Sequence, residues 1–179
     1  EGNLNWPAIL EAAKKAGVQP KGPPESFDEN FIAETKRCLE CNLICNKCVE
    51  VCPNIANIPI EVESPFLQDH NQILHLEALC NECGNCEVFC PYDGAPYEDK
   101  FTFFSSPEEF NRSQNQGFVF SNGTGTALKM RYADTIYDLV MRDGQAALED
   151  ASLQPKGEMQ ALLDMISTLK QRYAYLLTV

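Results

Sequence analysis

Residues 80–91 read CNECGNCEVFCP, four cysteines at the spacing Cys80-x2-Cys83-x2-Cys86-x3-Cys90 with Pro91 directly after the last. Upstream, residues 38–53 carry a less regular run with the same ending, Cys38-x2-Cys41-x3-Cys45-x2-Cys48-x3-Cys52-Pro53. All nine cysteines of the 179-residue chain fall in these two groups. A disulfide scaffold of an exported protein usually shows an even count spread along the chain behind an apolar export signal. Here the count is odd and clustered, and the first residues, EGNLNWP, hold neither a basic nor an apolar stretch of that kind. The expectation is a cytoplasmic chain whose reduced thiolates, two and three residues apart, ligate a soft metal centre.

The second group has the spacing of the bacterial ferredoxin run. In that run three closely spaced thiolates wrap one 4Fe-4S cube, and the cysteine ahead of the proline ligates the other. Two-residue spacers let the backbone curl with its amides aimed at the sulfurs, and Gly84 eases the turn. The first group ends in the same Cys-x3-Cys-Pro and marks a partner loop. Two four-thiolate cubes leave one of the nine cysteines over. Taking the shortest spacings, Cys41, Cys45 and Cys48 with Cys90 hold one cluster, Cys80, Cys83 and Cys86 with Cys52 hold the other, and Cys38 is spare. A competing assignment uses Cys38, Cys41 and Cys48 and frees Cys45; both stay open.

Two rivals use the same residues. A zinc module closes one tetrahedron per two Cys-x2-Cys pairs separated by a long spacer, which consecutive three-thiolate turns ending in Cys-Pro fit poorly. Cys41-x3-Cys45-x2-Cys48 also has radical-SAM spacing, but that chemistry needs a large barrel around the cluster, and here the motif runs straight into a second one. His70 and His75 could tune or ligate iron, but a histidine in a strand or loop with no motif reads as a surface or hydrogen-bonded residue, and both stay outside the expected site. Gly123-Thr124-Gly125 lacks the third glycine and the helix of a dinucleotide loop and reads as a hairpin turn. No catalytic triad or paired carboxylate is recognisable, so the expected module has no substrate site of its own.

Composition excludes other classes. Asp and Glu number 26 against 14 Lys and Arg, a net charge of −12, which repels phosphate backbones and anionic lipid, so neither nucleic acid nor a membrane is an expected partner. No apolar run approaches the roughly 20 residues of a membrane span.

Along the chain, residues 1–25 are expected to form a helical arm, with Pro7 near its start and Gly17 past its end, followed by the linker QPKGPP. Residues 26–100 form the expected two-cluster unit. A capping-box spacing from Ser26 to Glu29 opens a helix leading to Cys38, and the alternating stretches 57–62 and 73–77 suggest a hairpin between the cysteine groups. Residues 101–179 form a C-terminal unit: a strand at 101–104, a short helix at 107–110 capped by Ser106, and strands at 118–120, 127–132 and 135–141. From about Glu158 a helix carries Met159, Leu162, Ile166, Leu169, Tyr173 and Leu176 on one face. The fold class is therefore α+β, a ferredoxin-like two-cluster domain plus a small C-terminal domain of antiparallel strands and a helix.

Residues 34–62, ETKRCLECNLICNKCVEVCPNIANIPIEV, together with residues 74–100, LHLEALCNECGNCEVFCPYDGAPYEDK, resemble the C-terminal iron-sulfur region of selenate reductase iron-sulfur subunits. These are large cytoplasmic flavoproteins related to the small subunit of glutamate synthase and to dihydropyrimidine dehydrogenase. The resemblance implies two 4Fe-4S clusters, flavin- and NAD(P)H-binding domains or a subunit as electron donor, and a molybdenum-type or other redox enzyme as acceptor. No flavin- or nucleotide-binding domain is recognisable in the 179 residues, so an oxidoreductase activity belongs to the whole and not to this piece. The RCLEC start, with Arg37, Cys38 and Cys41, also recurs in glutamate-synthase-like iron-sulfur domains, which keeps Cys38 among the candidate ligands.

Overall fold

The computed structural model describes residues 45–67 and 69–178. Cys38, Cys41, the 1–25 arm and the helix expected ahead of Cys38 lie outside the described residues. One seven-stranded sheet organises the rest, its strands in chain order: β1 (Asn57–Glu61), β2 (Asn71–Leu76), β3 (Thr102–Phe104), β4 (Gly117–Phe120), β5 (Ala127–Tyr132), β6 (Thr135–Arg142) and β7 (Gln145–Leu148). Short helices α1 (Lys47–Glu50), α2 (Asn85–Val88), α3 (Pro96–Asp99) and α4 (Pro107–Arg112) lie between or before strands, and the long helix α5 (Glu158–Arg172) follows β7.

The fold is mixed α and β, and its strands follow the alternation and turn signals. β1 and β2 form the antiparallel hairpin, with Ile58 opposite Leu74 and Ile60 opposite Gln72. Ser106 accepts a hydrogen bond from the Glu109 amide at 3.2 Å, capping α4 behind Pro107. Ala133 and Asp134 both take positive φ, 48° and 57°, in the two-residue turn between β5 and β6, and Asp143-Gly144 do the same, at 50° and 79°, between β6 and β7. The Asn122 carboxamide accepts from the amides of Thr126 and Ala127, so Gly123-Thr124-Gly125 lies in a self-bonded connection of β4 to β5.

Two features differ from the sequence-based expectation. β3 pairs in parallel with both neighbours, Leu76 facing Phe103 on one side and Phe103 facing Phe118 on the other, so the sheet is not wholly antiparallel. Because β2 and β3 are hydrogen-bonded neighbours, the strands on either side of residue 100 share one sheet. The seventh strand, β7, lies outside the sequence-based expectation, since QAAL itself offers only the alternation of buried Ala146 and Leu148.

The sheet curls around α5. Leu162, Ile166 and Leu169 pack into the same core as Leu74, Leu76, Phe103, Phe118, Met130 and Leu139. Both edges reach the helix: the Ser167 hydroxyl accepts from the Ala146 amide of β7 at 2.8 Å, and Arg172 meets Glu61 of β1 at 3.1 Å. Lys170 and Arg172 in the last turn also complement the helix dipole. The apolar spacing runs past the helix end, since Tyr173 closes α5 and a 3-10 turn, Ala174–Thr178, keeps Leu176 buried. Among the described residues no helix is long and apolar enough to cross a membrane.

β2 ties this sheet to the cysteine loops. Successive side chains of a strand point to opposite faces. Leu74 and Leu76 join the main core, while Ile73 packs against Cys48 and Cys86. Burial on both faces follows, and His75, which reads as a solvent position in the alternating sequence, is 1 % exposed.

Candidate metal centre

The two cysteine loops are built alike. In α1 the carbonyl of Asn46 accepts from the amides of Val49 and Glu50, and in α2 the carbonyl of Gly84 accepts from those of Glu87 and Val88. Cys48 and Cys86 are the second residues of these single turns, and both are buried against Ile73. Each turn then reaches Cys-Pro, where the missing amide of Pro53 or Pro91 prevents helical continuation. Two residues after each proline the chain swings through the left-handed region, at Ile55 (φ 56°) and Asp93 (φ 54°). α1 and α2 pack on one another, so the repeat in sequence is a repeat in space. Gly84 at φ 75° supplies the left-handed entry to the second turn.

Cys52, Cys80, Cys83 and Cys86 line one small cavity, with Ala56, Asn57, His75, Asn81, Glu82, Gly84 and Tyr97 completing its wall. Cys52 arrives there from the first loop and the other three from the second. Backbone amides point at the sulfurs: Ala56 donates to Cys52 Sγ at 3.2 Å, and Glu82, held at φ 51°, donates to Cys80 Sγ at 3.3 Å. Burial pushes the Cys80 and Cys86 thiols up, partly offset by backbone donors that favour thiolate, the Glu82 amide at Cys80 and the Tyr97 amide at Cys86. Amide donors to sulfur and four cysteines lining one cavity make a donor set of the kind that a 4Fe-4S group takes. No three His, Cys, Asp or Glu side chains among the described residues stand where they would hold a single metal ion. Cubane thiolates bind separate irons and stand farther apart than the ligands of one ion.

Cys45, Cys48 and Cys90 do not line this cavity. Cys45 and Cys90 are half-buried, Cys48 is buried, and all seven described cysteines are free of disulfides. Their expected companion Cys41, like Cys38, lies outside the described residues. His70 is exposed, with Nδ1 3.2 Å from the Val62 carbonyl.

His75 lies in the cavity wall. Its Nδ1 is 2.9 Å from Asn57 Oδ1, and Asn57 Nδ2 donates to the Cys48 carbonyl at 3.2 Å. Glu77 stands 3.7 Å from Nε2, but burial lowers the His75 pKa to about 4, so the contact is not an ion pair at neutral pH. Nε2 is a buried polar atom with no hydrogen-bond partner. Cys80, Glu82 and Tyr97 also face a wider acidic cleft of about 560 Å³ that carries Glu77, Glu98, Glu109 and Arg112. There burial, then the nearby charges of Glu109 and Glu82, pushes the Glu77 carboxyl up. Tyr97 is pushed up to about 12 by the Glu98 charge first, then by burial and Glu87, whose carboxylate accepts its hydroxyl at 3.2 Å. The sequence reading leaves His75 out of the site and does not single out Asn57 or Tyr97, whose only signal is position beside the cysteine groups.

Half of this chain has a curated relative. Over 90 residues, 50 % of its length, the chain is 57 % identical to "Putative oxidoreductase YgfK" of Escherichia coli (strain K12). The protein of that name from Escherichia coli O157:H7 matches to the same extent. The match spans about 8 % of the length of these relatives, both described as oxidoreductases. No family model and no solved structure matches the chain.

Proposed function

We propose that this chain is an electron-transfer module holding two 4Fe-4S clusters, one on Cys52, Cys80, Cys83 and Cys86 and one on Cys41, Cys45, Cys48 and Cys90, within a larger oxidoreductase. The observation that carries the reading is the common cavity of Cys52 with the three cysteines of the other loop. Ligation across loops is the signature of paired-cluster ferredoxin runs, and it keeps two redox centres close within one rigid frame. Each cluster, when bound, takes up and returns one electron.

The chain's own residues fix the setting for that exchange. Ala56 and Glu82 direct amides at sulfurs, which lowers the cost of negative charge there. The packing of α1 on α2 through Cys48, Ile73 and Cys86 holds the loops in register. Cysteines that serve as thiolate ligands suit a reducing compartment, so the proposed residence is the cytoplasm. The relatives' far greater length leaves room for the flavin- and NAD(P)H-binding donor, and a molybdenum-type or other redox enzyme is the proposed acceptor. The acidic surface favours a partner with a basic face.

Serine replacements in anaerobically purified protein test the ligand sets. Cys52→Ser is expected to remove or degrade the cluster of the second loop, taking iron from about eight to about four per chain. Cys38→Ser is expected to keep both clusters and Cys41→Ser to lose one. Unchanged iron and spectra in Cys52→Ser would contradict cross-loop ligation. Loss of a cluster in Cys38→Ser with none in Cys45→Ser would transfer the ligand role from Cys45 to Cys38.

A further inference from the structure

β3 and β4 run side by side in parallel, Phe104 beside Val119, with α4 as the crossover between them. Both strands therefore leave the sheet at the same end, and in parallel sheets ligands gather in the crevice outside the carboxyl ends of the strands. A cleft of about 510 Å³ lies at that end, lined by Ser105 just after β3 and Ser121 just after β4. Its volume suits a small organic molecule. The floor is apolar and mostly aromatic, with Phe103, Phe104, Phe120 and Leu177. None of the described cysteines lines it.

The chain carries a net charge of −12, yet the one charged side chain among the described residues of this cleft is a cation, Lys170. Its Nζ lies 5.1 Å from the centre of the Phe120 ring and makes no ion pair among the described residues. Arg172 complements the same helix end while paired with Glu61, whereas Lys170 holds its charge over the aromatic floor unmatched. Gly125 leaves room for the ammonium: at φ 66°, a Cβ there would stand 2.7 Å from Nζ. The connection at residues 121–125 adds neutral donors. Asn122 spends its oxygen on the amides of Thr126 and Ala127, its nitrogen on Thr126 Oγ1 and its carbonyl on the Gly125 amide. The Ser121 hydroxyl and the amides of Gly123 and Thr124 have no acceptor among the described residues.

We propose that this cleft binds a small aromatic carboxylate, its ring against Phe103 and Phe120 and its charge on Lys170, with the donors of residues 121–124 beside it. One ammonium matches one negative charge, and in so acidic a chain a dianion such as a phosphate monoester would leave a charge uncompensated. The ring supplies contact with the floor, and the carboxylate supplies a charge-assisted hydrogen bond. Neither part stands on the cysteine loops, so the proposal is independent of the two-cluster reading.

The test uses the full chain, purified without oxygen, and three probes: benzoate, benzyl alcohol and acetate. Binding is read by saturation-transfer NMR and by the amide signals of residues 121–125. Benzoate is expected to saturate in the millimolar range and to move those amides. Benzyl alcohol keeps the ring without the charge, acetate keeps the charge without the ring, and each should bind at least about tenfold more weakly. In Lys170→Gln, benzoate should fall to the level of benzyl alcohol, whose own binding stays unchanged. The comparison of probes on the unsubstituted chain does not depend on the folding of that variant. Benzyl alcohol binding as well as benzoate would overturn the proposal, since only apolar contact would then be at work. Acetate binding as well as benzoate would do the same, by reducing the cleft to a surface charge. So would benzoate that fails to saturate, that moves amides only elsewhere in the chain, or that binds Lys170→Gln undiminished.

Discussion

Replacing Gly117 with alanine tests how firmly the cysteine-bearing strands are joined to the rest of the sheet. Gly117 begins β4 and lies opposite Thr102 of β3, the strand that links the β1–β2 hairpin to β4 and beyond. A Cβ at this position would stand 2.0 Å from the Thr102 carbonyl oxygen, 2.7 Å from its carbon and 2.9 Å from the Phe104 ring. Ordinary contact begins beyond 3.4 Å, so the two strands must separate by more than 1 Å, and no side-chain rotation relieves a clash with backbone. Separation on that scale takes bonds such as Thr102 N–H to the Gln116 carbonyl, now 2.8 Å, out of hydrogen-bonding range. Two or three buried groups left unsatisfied at about 1–3 kcal/mol each give a loss of about 3–5 kcal/mol, a large share of a domain's net stability. Urea unfolding followed by far-UV circular dichroism, on preparations of matched iron content, should show a midpoint lower by about 2 M for a slope near 2 kcal/mol/M. Gly123→Ala is the control: its Cβ meets nothing within 4 Å, and the midpoint should move by less than about 0.5 kcal/mol in equivalent stability. Should Gly117→Ala unfold within about 1 kcal/mol of the unsubstituted chain, the tight β3–β4 contact is wrong.

Ser167→Ala removes an oxygen that accepts from Ala146 N–H at 2.8 Å and donates to the Leu163 carbonyl at 2.7 Å, stranding a buried amide of β7. The same unfolding assay should register a loss of about 1–3 kcal/mol, with faster hydrogen exchange at Ala146. Arg131→Met removes a buried guanidinium that donates to the Phe110 and Asn115 carbonyls at 2.7 and 3.0 Å and lies 4.2 Å over the Phe110 ring. A loss of about 2–4 kcal/mol is expected, and Arg131→Lys should recover only part of it, since an ammonium lacks the fork that reaches both carbonyls.

What the sequence reveals about this molecule is local in origin. The cysteine loops are legible because their spacing is set by a wrapping backbone within a dozen residues. The Ser106 cap and the Ala133-Asp134 turn are legible for the same reason: each is decided by neighbours a few residues away. β7 escapes because Ala146 and Ala147 carry little apolar signal; its pairing with β6 across Asp143-Gly144 is local, but its hold on α5 comes from Ser167, a distant segment. The parallel pairing of β3 depends on which strands the folded chain brings beside it. His75 shows the limit most clearly. Alternation along β2 turns it away from the main core, as the sequence suggests, but the second face of β2 is covered by the cysteine loops and not by water. Local patterning reports which face a residue takes and says nothing of what lies against that face.

The claim on which the functional account rests is that this chain carries two cubane clusters. Iron and acid-labile sulfide, determined together on protein purified without oxygen, test it most directly. The account predicts about eight of each per chain. A protein that holds zinc in place of iron, or iron without sulfide, or about four of each at a single position, would contradict it.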